Sequence, residues 1–166
     1  MTSKKHRWTA LLAGLGTGLL LLGLAPGMQA QSEESARGLN GTWWATVVQY
    51  DCTTGATRPA FTSLLAFARG GTMSETTGNP AFQPGQRTSG YGTWSKAEDD
   101  DTYSSVDEAF ILYSAGPFAQ GTQRISHSIT LTDENHFTDT ATVQFYDTHG
   151  TLLVSGCARA TGVRVE

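Results

Sequence analysis

The residue best placed to carry chemistry is His127, which lies in a run of alternating apolar and polar residues. Isoleucines two positions before and after it share its face, because successive side chains of a strand point to opposite faces. In the register expected for the following hairpin, His127 faces Ala141 and lies diagonal to Asp139. A carboxylate beside an imidazole orients the ring and raises its pKa. The pair could therefore act as general acid and base or anchor a ligand, and a purely structural buried pair is the alternative.

Other acidic residues are further candidates for acid–base work in an isomerase or cyclase. Glu75 lies in the third predicted strand. Asp107 and Glu108 are adjacent, so they face opposite sides of their strand and one of them is expected to point inward. For each of these acidic residues, the alternative is a solvent-exposed charge or an ion pair at one end of the domain. His127, Asp139 and Glu75 are thus the candidate catalytic residues, and none of them forms a recognisable catalytic motif.

The sequence predicts neither a bound metal nor a cofactor. His127, His136 and His149 are the histidines after residue 30, and their spacing matches no zinc motif. The sequence lacks a Gly-x-Ser-x-Gly elbow, a phosphate-binding loop and a dinucleotide fingerprint. These observations favour a protein that is not an enzyme.

The elements that must position these residues are predicted to be strands alone. After Leu39 the chain is rich in Thr, Ser, Gly and aromatic residues, and strand-like runs alternate with turn signals. Gly70-Gly71 predicts a tight hairpin because both glycines tolerate positive φ. The expected strands are 42–51, 61–69, 72–77, 91–97, 102–113, 122–131, 136–146 and 151 onward. Eight antiparallel strands in meander order can close a barrel that holds one small ligand.

The run Leu39-Asn40-Gly41-Thr42-Trp43 resembles the first strand of lipocalins and other calycin barrels. The resemblance implies a cup whose closed end is plugged by Trp43 and whose open end takes a small ligand. It also implies an arginine near the barrel's end that packs across this Trp, and Arg164 is the candidate. The Thr-Asp-Tyr motif of many lipocalins and their C-terminal helix are missing, so a barrel similar to allene oxide cyclase stays open.

Cys52 and Cys157 are the only cysteines. In an oxidising compartment two such residues usually pair, and their wide separation favours a structural disulfide over a redox or metal site. If Cys52 faces Cys157 across neighbouring first and last strands, Ala45 lies opposite Arg164 and Trp43 lies diagonal to it.

The first thirty residues predict an export signal, with a basic start, an apolar stretch from Leu11 to Leu24, and a small residue before position 31. Residues 31–38 read as a disordered leader and residues 39–166 as one barrel domain. The chain has 11 Lys and Arg against 15 Asp and Glu. Removal of Lys4, Lys5 and Arg7 leaves eight basic residues and a net charge near −7. This balance argues against partners that carry phosphate, whether nucleic acid or membrane.

The sequence therefore predicts a secreted or periplasmic barrel that binds a small apolar or amphipathic ligand without catalysis. Aromatic side chains are expected ligand contacts, because cup-shaped sites are typically lined by apolar and aromatic groups, and His127 is expected as a polar anchor. The candidates are Trp94, Phe67, Phe110, His127 and Phe145. An allene-oxide-cyclase-like enzyme and a structural or interaction barrel with a filled core are the alternatives. The oligomeric state and the identity of the ligand are left open.

Overall fold

A computed structural model describes residues 38–98 and 101–166, so the predicted export signal and all but the last residue of the leader lie outside the described residues. Eight strands make up the described fold, and no helix occurs in these two ranges. The strands are β1 (Gly41–Tyr50), β2 (Phe61–Ala68), β3 (Thr72–Thr77), β4 (Gly90–Lys96), β5 (Thr102–Ile111), β6 (Gly121–Asp133), β7 (His136–Asp147) and β8 (Leu152–Arg164).

The strands pair in chain order, each antiparallel to the next, and β8 pairs with β1 to close the barrel. The predicted fold class is confirmed, and the strand ends differ from the predicted ones by at most two residues. The Gly70-Gly71 hairpin also forms, with φ of 94° and 87°. Closure leaves no free edge in the sheet that these eight described strands form, which removes the unpaired backbone groups that an open sheet would expose.

The predicted register between β1 and β8 is wrong by two residues. Trp43 pairs directly with Arg164, and Tyr50 rather than Cys52 pairs with Cys157. Cys52 lies in the turn after β1 and still forms the predicted disulfide with Cys157, with 5.3 Å between the Cα atoms. Disulfides accept Cα separations of roughly 4.4–6.8 Å, so Cys52 does not have to be the paired residue of Cys157. A shift of two residues preserves the faces of a strand, so the side chains expected inside remain inside.

Strand alternation divides the residues between a buried interior and a polar outer surface. On β6 and β7, Ile129 and Phe137 point inward and are almost fully buried, whereas Ser128, Thr130 and Thr138 are exposed. These outward hydroxyl-bearing side chains are the Ser/Thr ladder expected from the sequence. The interior therefore receives every second residue of each strand.

The closed end of the barrel is a packed apolar core around Trp43. The Trp43 indole meets the Phe137 ring edge-on, with 5.1 Å between the ring centroids, and its Nε1–H donates to the carbonyl of Leu39 at 2.9 Å. The Arg164 guanidinium carbon lies 4.0 Å from the centroid of the Trp43 ring. Arg164 also donates to the carbonyls of Gly38 and Glu134. These contacts close this end of the barrel.

Candidate functional site

The barrel contains an internal cavity with a volume of about 40 Å³. It adjoins the apolar core around Trp43. Its wall is built from β1, β2, β3, β6, β7 and β8, together with the loop that joins β3 to β4. One side is polar and includes Glu75, His127 and Asp139. All three catalytic candidates from the sequence therefore line a single cavity.

His127 sits between two buried carboxylates. Its Nδ1 lies 2.7 Å from Asp139 Oδ2 on β7, and its Nε2 lies 3.3 Å from Asp107 Oδ1 on β5. The side chain of His127 is 8% exposed, that of Asp139 is 3% exposed and that of Asp107 is fully buried. His127 pairs with Ala141 in the β6–β7 hairpin, which is the register expected from the sequence. Both ring nitrogens are thus engaged.

The two carboxylates keep the His127 imidazole protonated. Burial alone would lower the pKa of His127, since it disfavours the charged ring. The hydrogen bonds to Asp107 and Asp139, together with their negative charges, outweigh burial and raise the pKa to about 10. At neutral pH the ring is therefore an imidazolium that donates to both partners, and it has no lone pair with which to accept a proton.

Asp107 can enter the interior because the neighbouring strand carries a glycine. A Cβ atom on Gly90 of β4 would lie 2.3 Å from Asp107 Oδ2, far inside van der Waals contact. Any larger residue at position 90 would push the carboxylate away from His127. Its neighbour Glu108 points outward and pairs with Arg124 at 2.6 Å, with about half of each side chain exposed. The sequence expectation that one of these two acids faces inward is met by Asp107.

Glu75 belongs to a second buried ionic group. Its Oε2 lies 2.7 Å from Arg87 Nη2, and these side chains are only 4% and 2% exposed. Glu75 Oε1 accepts a hydrogen bond from Ser63 at 3.0 Å, and Arg87 Nε donates to Gln123. Burial raises the pKa of Glu75, and the Arg87 charge partly offsets this rise. Arg87 comes from the β3–β4 loop, so the ion pair ties this loop into the barrel.

Next to these ionic groups, part of the cavity wall is apolar and made of small side chains. Four alanines from β1, β7 and β8 line it, and each is at most 9% exposed: Ala45, Ala141, Ala158 and Ala160. Alanine leaves room that a larger side chain would fill, and it offers no hydrogen-bonding group. Ala141 is the cross-strand partner of His127 and Ala160 that of Asp139, so the four alanines, called the alanine side below, adjoin the ionic groups.

Three aromatic rings cover the cavity at the end of the barrel opposite Trp43. Phe82 from the β3–β4 loop stacks on Phe118 from the β5–β6 loop with 4.2 Å between centroids, and Phe118 contacts Phe145 of β7 at 5.0 Å. Gln86 holds the two loops together, because its Nε2 donates to the carbonyls of Tyr113 and Ala115. Phe82, Phe118 and Phe145 together are called the aromatic lid below.

A wider groove of about 670 Å³ lies outside the aromatic lid, next to the disulfide. Gln49 and Val143 line both this groove and the internal cavity. Phe118 and Phe145 line the groove, whereas Phe82 lines the cavity. The groove and the cavity are therefore adjacent, and the aromatic lid lies between them.

The remaining ligand contacts expected from the sequence lie outside the cavity. Phe67 is buried in the core of the closed end, and Trp94 packs edge-on against it with 6.1 Å between centroids. Phe110 is 63% exposed on the outer face of β5. Phe145 belongs to the aromatic lid. Of the five residues expected to contact a ligand, His127 is the one that lines the cavity wall.

Several cavity residues were not identified from the sequence. Ser63 and Gln123 occupy inward positions two residues from predicted core residues, so the strand alternation contained a signal for both. Arg87, Phe82 and Phe118 lie in loops, where the alternation gives no guide to direction. The loop residues complete the polar wall and the aromatic lid.

No group of three or more His, Cys, Asp or Glu among residues 38–98 and 101–166 is arranged to hold a metal ion. The same two ranges contain no helix that is long and apolar enough to cross a membrane. Comparison with protein-family models finds no match to this chain, and comparison with curated protein sequences finds none either.

Proposed function

We propose that this protein is a lipocalin-like carrier that binds a small, partly apolar ligand inside its barrel and does not transform it. The observation that carries the proposal is the mixed wall of the cavity, in which alanines adjoin buried ionic groups. Ligand sites typically combine an apolar surface with a few placed polar groups that orient the ligand. This cavity has that composition.

The size of the cavity limits the ligand. Sites for drug-sized molecules have volumes of roughly 300–1,000 Å³, whereas this cavity measures about 40 Å³ with the lid closed. We therefore propose a small ligand, with entry through the outer groove after displacement of Phe82 and Phe118. Both rings belong to loops rather than strands, and loops can move without breaking the barrel.

An isomerase or cyclase similar to allene oxide cyclase is less well supported. A general base needs a free lone pair near neutral pH, and both nitrogens of His127 are engaged by carboxylates. Glu75 is likewise occupied by Arg87 and Ser63, so among the three catalytic candidates only Asp139, through its Oδ1, keeps an unused acceptor atom. A barrel with a completely filled core is also less well supported, because the alanine side leaves space in the interior.

We further propose that the protein works outside the cytoplasm, in the periplasm or secreted. The Cys52–Cys157 disulfide is consistent with an oxidising compartment, where such bonds form and persist. The predicted export signal agrees with this location.

Native mass spectrometry of the protein purified from its host without denaturation tests the binding proposal. We expect a reproducible added mass that is lost on denaturation. Ala158→Leu fills the cavity from β8 and should abolish the added mass, whereas Thr161→Leu, on the outer face of the same strand, should retain it. A bare wild-type mass, combined with no binding across a panel of small amphipathic molecules, would refute the proposal.

A further inference from the structure

The polar side of the cavity contains a carboxylate oxygen whose hydrogen-bonding capacity is not used. Asp139 is 4% exposed and lines the cavity. Its Oδ2 is bound to His127, but its Oδ1 has no hydrogen-bond partner among residues 38–98 and 101–166. A buried acceptor left without a donor is costly, and a charged one more so than a neutral one. A donor that enters the cavity would relieve this cost.

The charges around the cavity also favour a positive ligand. Three carboxylates, those of Glu75, Asp107 and Asp139, meet two cations, Arg87 and the His127 imidazolium. When all five groups are ionised, these two ionic groups together carry one excess negative charge. Buried charges are tolerated when a partner of opposite sign compensates them.

Arg159 does not supply the missing positive charge. It contributes to the cavity wall, but its side chain is exposed and its guanidinium carbon lies 5.8 Å from the centroid of the Tyr50 ring. Arg159 occupies an outward position on β8, between the inward Ala158 and Ala160. Its charge is accordingly in contact with solvent.

We propose that the ligand of the cavity is a small organic ammonium ion, whose N–H donates to Asp139 Oδ1 and whose hydrocarbon part packs on the alanine side. This inference rests on the proposed binding function and specifies the chemistry of the ligand. A primary amine fits because the protonated nitrogen supplies both the donor and the positive charge. Its short hydrocarbon part matches the small apolar surface of Ala141, Ala158 and Ala160.

A matched set of probes separates the effect of the ligand's charge on binding from the effect of its size. Propylammonium and 1-propanol have the same number of heavy atoms and the same hydrocarbon part, and propionate supplies the opposite charge. Binding of each probe to the full-length protein is measured at neutral pH by NMR, from shifts of the Ala141 and Ala158 methyl signals and of the His127 ring. We expect propylammonium to bind at least ten times more tightly than 1-propanol, and propionate to bind most weakly.

A pair of variants tests whether Asp139 causes the preference for propylammonium over 1-propanol. Asp139→Asn should remove most of the preference for propylammonium while 1-propanol binding is retained. Asp133→Asn, which changes an exposed carboxylate at the end of the same hairpin, should leave the preference intact. If Asp139→Asn does not fold, the probe series on the wild-type protein still tests the ammonium inference.

The outcomes distinguish the two proposals. Equal or tighter binding of 1-propanol or propionate overturns the ammonium inference and leaves the binding function standing. Absence of binding by all three probes, with a bare mass for the host-purified protein, overturns both. Binding of propylammonium with shifts confined to exposed residues also overturns the inference, because the cation would then occupy the surface.

Discussion

Raising the pH from 6.5 to 10 is expected to destabilise the barrel through His127. The pKa of this ring is raised from 6.5 to about 10 in the folded protein. The folded state therefore holds the proton more tightly than the unfolded chain does. The resulting stability is fully present below the unfolded pKa and is lost as the pH rises through the folded pKa.

The size of this effect follows from the difference between the two pKa values. Each pKa unit corresponds to about 1.4 kcal/mol, so a shift from 6.5 to about 10 gives a stabilisation on the order of 5 kcal/mol below pH 6.5. Deprotonation leaves a ring with one N–H between two carboxylates, so one carboxylate then faces a nitrogen lone pair. The described network thus loses a donor as well as a positive charge.

Two measurements test this prediction. Long-range ¹H–¹⁵N NMR should show His127 doubly protonated through pH 8, with the exposed His136 and His149 as comparison signals in the same spectra. Denaturant unfolding should give a free energy of unfolding that falls between pH 6.5 and 10 by several kcal/mol more than in the His127→Gln variant. Both cysteines are in the disulfide, so no free thiol complicates work at high pH. Titration of His127 near its ordinary pKa of 6.5 would refute the reasoning.

Three further predictions concern packing, ion pairing and the disulfide. Gly162→Ala should destabilise the barrel by about 1–3 kcal/mol, because the added Cβ would lie 2.1 Å from the Phe137 ring. Gly156→Ala, on the same strand, places a Cβ with no atom within 4 Å and should be nearly neutral in thermal unfolding. Arg87→Met should cost about 3–5 kcal/mol by leaving Glu75 buried and unpaired. Arg124→Met, at an exposed ion pair, should cost under about 1 kcal/mol in the same denaturant assay. Replacing both cysteines by serine should lower the free energy of unfolding by up to about 4–5 kcal/mol. Equal losses within either matched pair, or an unchanged unfolding midpoint without the disulfide, would contradict these three expectations.

The parts of the fold and of the site that could be predicted are those that follow from the alternation of side chains along the strands. It placed His127 and Asp139 on the inner face of adjacent strands, because the period of two is unambiguous in β6 and β7. It could not decide between Asp107 and Glu108 before the pairing of β4 with β5 was known, since the two are adjacent and chemically equivalent. Gly90 now explains the choice, because only a residue without a side chain leaves space for the Asp107 carboxylate.

The register of barrel closure was predicted from the disulfide and was wrong for a physical reason. Disulfide geometry accepts a range of Cα separations, so a cysteine just beyond the end of β1 can reach Cys157 without being its paired residue. The aromatic lid could not be predicted, because the directions of Phe82 and Phe118 depend on loop contacts made through Gln86. Arg87 was missed for the same reason. The strands are thus predictable from local pattern, whereas the loops that complete the site depend on tertiary contacts.

We propose that the space lined by Asp139 and the neighbouring alanines of the barrel holds a ligand. A high-resolution crystal structure of the protein purified from its host tests this claim most directly. We predict well-defined non-protein density in the cavity, in contact with Asp139 Oδ1 and with the methyl groups of Ala141 and Ala158. An interior filled by protein side chains, with Asp139 Oδ1 bound to another residue of the chain, would contradict the claim.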